Sequence, residues 1–225
     1  MAELSIDTAS EIAGIALTSE GALLAEVTWR ARQNHSRELL PSLEWLLARA
    51  GLSKADLSAV FVCTGPGSYA GLRVGLSTAK TLAFALGLPV VGVGRLAADA
   101  SALTAPEGLS IVAVHAAGRA ELAWASYARS GGELHELSPP RLVSREEFVT
   151  ALQRGDVVCG EPDVALCEEL AAHGVASATG QASRALAVAK LGWERLRRGE
   201  IDSTDALVPL YLREPAIGPQ PPARP

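Results

Sequence analysis

The chain has 225 residues, 48% of them hydrophobic but only 4% aromatic, so its core is built from Ala, Leu and Val. A net charge of −5 argues against a protein that grips nucleic acid by itself, which normally carries a basic domain or stripe. Three cysteines, Cys63, Cys159 and Cys167, form no CxxC pair, which argues against a disulfide framework or a zinc knuckle and fits a reducing cytosol.

The opening MAELSID shows no basic region followed by an apolar stretch, so no signal peptide is expected there. Leu4–Asp7 reads as a short strand. Ile12–Leu17 is a second and Ala22–Trp29 a third, joined by the turn Ser19-Glu20-Gly21 into an antiparallel meander. Leu39, Leu40, Leu43, Leu46, Leu47 and Ala50 recur at helical spacing. Pro41 belongs in the first turn of that helix or kinks it, and Gly51 stops it. Ser53 caps a short turn through Asp56, and Ala59–Cys63 is the next strand.

The most informative stretch follows. Gly65-Pro66-Gly67-Ser68 is too rich in turn residues to continue a strand. Behind it comes a long helix in which Gly71, Gly75, Ala79 and Ala83 share one face. Leu72, Val74, Leu76, Leu82 and Phe84 occupy the others, and only Arg73 and Lys80 are charged. A helix apolar nearly all round must be buried nearly all round. It is either sandwiched inside its own domain or shared with a partner subunit. The apolar run Leu82–Val93 is broken by Gly87 and Pro89, so it is a helix end plus a buried strand, not a membrane span.

A helix around Leu96–Leu103 precedes the boundary signal Pro106-Glu107-Gly108. A second set of strands covers Ile111–Val114, Glu121–Tyr127 and Leu134–Leu137. Ser144 and Glu147 form a capping box for a helix to Leu152. Val157–Cys159 is a strand, Pro162–His173 and Ser183–Arg198 are helices, and Val208–Arg213 closes the folded part. The end, PAIGPQPPARP, has five prolines in eleven residues and is expected to be disordered. The pattern of strands, helix, strand, helix occurs twice. It predicts two related α/β lobes, residues 1–103 and 104–214, with the last helix free to return to the first lobe and a tail over 215–225.

Paired lobes commonly hold a ligand in the cleft between them. Asp7 and Thr8, at the end of the first strand, offer a carboxylate and a hydroxyl for a metal-bound phosphate. An Asx or Ser/Thr turn explains the same residues, and spacing alone favours the turn. Gly65, Gly67 and Ser68 before a helix look like an anion cradle. The loop is neither a P-loop, since no Lys-Ser/Thr follows, nor a GxGxxG fingerprint, since Ala70 stands at the sixth position. His35, His115, His135 and His173 lie far apart, without metal-ligand spacing, and read as surface or turn residues. No GxSxG elbow exists around Ser68.

Together, the SIDTAS opening, His35-Ser36 with Leu39-Leu40-Pro41, GPGSYAGLRVGLSTAKTLAFALGLPVVGV and the terminal PLYLREPA resemble the TsaB (YeaZ) family of bacterial tRNA threonylcarbamoyladenosine-biosynthesis proteins. The resemblance spans the folded chain, and its long central segment is the specific part. It implies an α/β, two-lobed actin/sugar-kinase/Hsp70-like fold, each lobe a mixed sheet with helices. It implies a cytoplasmic, non-catalytic subunit that partners the TsaD ligase subunit and the TsaE ATPase. The complex places threonylcarbamoyl on adenosine 37 of tRNA. Alone, the same surface would make a homodimer, and tRNA would be met only through the partners. His35, Leu39, Leu43, Gly71, Leu72, Gly75, Leu76 and Ala79 are the expected partner-binding residues. Asp7, Thr8, Gly65, Gly67 and Ser68 form a weaker nucleotide-binding set. No catalytic residue, metal or resident cofactor is expected, with ATP or ADP left to the interface of the assembled complex.

Two departures bear on this. The family's second lobe opens with Ile-Asp-Ala-Arg, where this chain has Val114-His115-Ala116-Ala117. The catalytic relatives carry a metal-binding HxxxH where Arg95 and Asp99 stand, and a guanidinium cannot ligate a cation. The rivals are a kinase or ATPase that uses Asp7 in the cleft, and a metallopeptidase, which these residues disfavour more strongly.

Overall fold

The computed structural model describes residues 1–32, 34–118, 120–178 and 184–213. The first lobe runs β1 (Ala2–Asp7), β2 (Ile12–Ser19), β3 (Ala22–Arg30), α1 (His35–Ala50), β4 (Leu57–Gly65), α2 (Tyr69–Leu86) and β5 (Val90–Gly94). Then come α3 (Arg95–Ala102), β6 (Ser110–Ala116), β7 (Glu121–Ser130), β8 (Glu133–Ser144), α4 (Arg145–Ala151), β9 (Val157–Glu161), α5 (Val164–Ala172), β10 (Ala176–Ser177) and α6 (Arg184–Arg197). The expected tail and the expected first residue of the last helix, Ser183, lie outside the described residues.

The strands form two five-stranded mixed sheets, ordered β3-β2-β1-β4-β5 and β10-β9-β6-β7-β8. In each, an antiparallel meander is extended by two parallel strands on the side of its first strand. The second sheet therefore repeats the topology of the first, and the duplicated pattern in the sequence is the duplicated sheet in the structure. β1 and β6 are the central strands, which is why β1 is buried along its whole length and β6 along its middle. Both end at the seam between the lobes.

The elements stack in layers. α1 and α2 cover one face of the first sheet through Leu39, Leu43, Leu46, Leu76 and Ala79. α6 covers its other face, Val188 packing with Phe61 and Val91. Leu96 and Ala100 of α3 pack with Ile111, Ala113 and Ala125 of the second sheet. α4 and α5 close the far side through Phe148, Leu166 and Leu170. α3 and α6 touch each other, so the middle layer joins the lobes.

Three local differences from the sequence reading have plain causes. β8 continues to Ser144, through Pro139 and Pro140, where the reading ends the strand at Leu137. It is an edge strand, and the two prolines fall where its pairing with β7 shifts register, between Arg141↔Trp124 and Ser138↔Ser126, so no regular ladder bond is lost there. Pro41 lies in the second turn of α1, past the first. The carbonyl of Arg37 loses its helical donor there, on the exposed side of the helix. β10 has two residues and is too short to leave a pattern. Among the described residues, no helix is long and apolar enough to cross a membrane.

Candidate functional site

The seam between the lobes is built around one arginine. Arg184, in the first turn of α6, is 8% exposed. Its Nη1 donates to Asp7 Oδ2 at 3.0 Å, its Nε to Asp99 Oδ1 at 2.7 Å and its Nη2 to Glu161 Oε1 at 2.8 Å. Arg95, also buried, pairs with Glu161 at 2.8 Å and with Asp99 at 3.8 Å. Asp7 ends β1 and Glu161 ends β9, so the network spans both sheets. A buried charge is tolerated only when paired, and each of these is paired. Burial raises the carboxyl of Asp99, opposed by the Arg184 and Arg95 charges. Burial would raise Glu161 too, but the same two arginines outweigh it and bring its carboxyl down to about 2.

The expected nucleotide-binding residues do come together, but their polar groups are taken up by Ala9, Gly71 and Arg184. Asp7 accepts the Ala9 amide at 3.0 Å as well as Arg184, which confirms the Asx turn. Thr8 Oγ1 donates to the Gly71 carbonyl at 2.8 Å. The Ser68 amide donates to the Ala9 carbonyl at 2.8 Å, and Ser68 Oγ accepts the Gly71 amide at 3.3 Å. A Cβ at Gly67 would collide with the Ala9 carbonyl, and one at Gly65 would press on Leu72. Gly67 is therefore explained by the close approach of the β1–β2 turn, and Gly65 by its positive φ and the Leu72 side chain beside it. That turn takes up Gly67 and the Ser68 amide, so the loop's own cradle does not form, while the first-turn amides of α2 at Tyr69 and Ala70 lie beyond it.

The small-residue ridge of α2 has the same explanation, which corrects the expected partner contacts. A Cβ at Gly71 would collide with the Thr8 carbonyl, and one at Gly75 with Thr8 Oγ1. The ridge lets α2 sit on the end of β1 inside its own lobe. Leu72, Leu76, Ala79, Leu39 and Leu43 are core residues, exposed by 3% or less. His35 is buried too, its Nε2 3.0 Å from the Ser10 carbonyl, tying the start of α1 to the β1–β2 turn. None of the eight reaches the surface. Residues of the same helices that do include Leu40, Glu44 and Trp45 on α1, and Arg73, Thr81 and Phe84 on α2. Trp45 is 54% and Phe84 82% exposed. They are the most exposed large apolar side chains of these two helices.

A cleft of about 570 Å³ opens above the network, lined by Ser10, Gly67, Ser68, Tyr69, Arg95, His115 and Tyr211 among others. The segment Leu210–Arg213 walls it. The Leu210 amide donates to the Thr64 carbonyl at 2.8 Å, Tyr211 lies 5.0 Å from Tyr69 by ring centroids, and Arg213 reaches the Ala117 carbonyl and Glu121. Burial and the Asp7 charge push the Cys63 thiol well up, and burial pushes Cys159 up to about 12, so neither offers a thiolate.

A family model described as "TsaD: tRNA N6-adenosine threonylcarbamoyltransferase" matches residues 24–159, more than half of the chain. The "tRNA threonylcarbamoyladenosine biosynthesis protein TsaB" of Bacillus subtilis is 33% identical over 156 residues, covering 69% of this chain and 68% of that protein. The chain belongs to the TsaB family. Its fold is that of "YeaZ from Pseudomonas aeruginosa", with a TM-score of 0.78 at 24% identity over 94% of this chain and 99% of that one. A ROK hexokinase from Thermus thermophilus shares the two-lobed architecture more loosely, with a TM-score of 0.50 at 13% identity over 88% of this chain and 100% of that one. The actin/sugar-kinase/Hsp70-like fold class expected of a TsaB-family chain is therefore the fold found.

Within that fold, the sequence reading missed the seam. His115 and His35 are buried, not surface residues. Arg184 carried a usable signal. It lies four residues from Val188 and eight from Gly192, on the buried face of α6. A lone arginine on an apolar face needs a carboxylate opposite it. Nothing in the spacing said that Asp7, 177 residues away, was one of them.

Proposed function

We propose that this chain is a non-catalytic subunit in the biosynthesis of threonylcarbamoyladenosine at adenosine 37 of tRNA, working in the cytoplasm. Its partner is a TsaD-type ligase subunit, with a TsaE-type ATPase in the same assembly. The outward faces of α1 and α2 carry the contact. Leu40, Trp45 and Phe84 take the place of the buried residues first expected there. Alone, the chain pairs with a second copy through the same face, and tRNA is held mainly by the partners.

Family membership places the chain in this process. The single structural observation that carries the non-catalytic role is the seam. Asp7, the carboxylate a kinase-like reading would put on a metal-bound phosphate, is bonded to Arg184 at 3.0 Å. Arg95 and Asp99 stand where the catalytic relatives of the resemblance have their metal pair, and they form part of a buried ion network instead. Affinity capture from the native cells tests the reading. Wild-type protein should bring down a TsaD-type subunit, and Trp45→Glu with Phe84→Glu should not. Capture that is indifferent to both changes would remove the helix face from the proposal.

A further inference from the structure

The cleft between the lobes contains a buried ring nitrogen that nothing in the described residues satisfies. His115 stands on β6 and is 5% exposed. Its Nδ1 lies 3.0 Å from the Ala116 carbonyl oxygen. The tautomer that satisfies this contact carries its proton on Nδ1, which leaves Nε2 as a bare acceptor. That nitrogen is shielded from solvent and has no hydrogen-bond partner among the described residues. Burial, reinforced by the Arg95 charge, lowers the ring's pKa to about 4, so the imidazole is neutral near pH 7 and accepts rather than donates there. A buried polar atom without a partner calls for an explanation, and a ligand donor is one.

The start of α2, which lines the same cleft, favours negative charge. Gly67, Ser68 and Tyr69 line the cleft at the start of α2, an 18-residue helix. Ser68 Oγ caps the Gly71 amide. The amides of Tyr69 and Ala70 stand in the first turn and have no intrahelical acceptor. A helix start of this kind attracts carboxylates and phosphates. Ala123, Leu142 and Tyr211 add apolar lining, and Arg95, Glu161 and Arg213 add charged lining. The floor is closed to a metal-bound phosphate chain because Asp7 is held by Arg184.

We propose that the cleft binds a small organic anion that also carries an N–H or O–H donor. The carboxylate or phosphate sits on the first turn of α2, and the donor bonds Nε2 of His115. The site goes beyond the partner-binding role, and its presence or absence leaves that role untouched.

The full-length protein is labelled with ¹⁵N-histidine and titrated at pH 7.5 with L-lactate, glycerol 3-phosphate and acetate. L-lactate and glycerol 3-phosphate pair an anion with a hydroxyl, one as a carboxylate and the other as a phosphate. Acetate has the anion alone. The expected result is a saturable shift of the His115 Nε2 resonance with at least one of the first two, at least tenfold tighter than with acetate. Whichever binds identifies the anionic group. Calorimetry on His115→Phe should lose that tenfold preference while thermal melts show the variant folded. Should His115→Phe fail to fold, Tyr211→Ala should weaken the same binding severalfold. No saturation with L-lactate or glycerol 3-phosphate up to about 10 mM, or binding that leaves the Nε2 resonance unmoved, overturns the proposal.

Discussion

Arg184 donates to Asp7 at 3.0 Å across 177 residues of chain, joining the first turn of α6 to the last residue of β1. The same guanidinium holds Asp99 and Glu161, so one side chain ties the two sheets together. A group this central fixes what the lobes can do. It neutralises the carboxylate a phosphate-binding cleft would use, and it resists the lobes moving apart.

Arg184→Met should therefore be among the most damaging single changes in the chain. Removing one partner of a buried ion network leaves its carboxylates uncompensated, at a cost of about 3–5 kcal/mol. Urea unfolding measures this. Arg30→Met breaks only the exposed pair with Glu11 and should cost less than about 1 kcal/mol.

The two faces of α2 should separate stability from binding. Gly75→Ala places a methyl against Thr8 Oγ1 and should destabilise the monomer by about 1–3 kcal/mol. Phe84→Glu, on a side chain 82% exposed, should leave the melting curve within about 0.5 kcal/mol of wild type. It should still weaken partner capture by about 2 kcal/mol or more if it is a central contact. Equal stability losses for the two variants would put Phe84 in the core and refute the assignment of faces.

Acid should weaken the fold through His115 first. Its folded pKa is lowered, to about 4, from an ordinary value of 6.5. Between those values the unfolded chain binds a proton that the folded one refuses. Stability is then full above about pH 6.5 and falls as pH drops towards 4, by about 3 kcal/mol over the window. Glu161, a carboxyl lowered to about 2, adds a second loss between its ordinary 4.5 and 2. Urea midpoints at pH 7.5, 6 and 5 check the first window. His115→Gln should flatten the slope between pH 7.5 and 5, and an unchanged slope would assign the loss to another group.

The C-terminal wall should be structural. A chain cut before Pro209 loses the Leu210 bond to Thr64, the packing of Tyr211 on the first lobe and the reach of Arg213 to Ala117. Against a chain ending after Arg213, it should lose roughly 2–4 kcal/mol, the worth of one large side chain plus a hydrogen bond or two. Superimposable thermal melts would show the segment to be a passive cover.

The fold was legible because its signals are local and repeated. Meander, helix, strand and glycine stops can each be read within about ten residues of chain, and the pattern occurs twice. The ridge Gly71-Gly75-Ala79 was legible as a place of close approach but not as to what approaches. Helical spacing gives a face, and it cannot tell Thr8 of the same chain from a partner's backbone. Asp7, Thr8, Gly67 and Ser68 do lie close together, but their bonds to Ala9, Gly71 and Arg184 were invisible because each residue type suits a turn as well as a ligand. The Arg184 network and His115 were missed because their partners lie far away in sequence, brought together only by the stacking of two sheets.

The central claim is a role in tRNA modification without chemistry of its own, and nucleoside analysis of tRNA tests it most directly. In native cells depleted of this chain, threonylcarbamoyladenosine in bulk tRNA should fall severalfold. The wild-type gene should restore it and the Trp45→Glu, Phe84→Glu double variant should not. Modification that stays at its normal level after depletion would contradict the account.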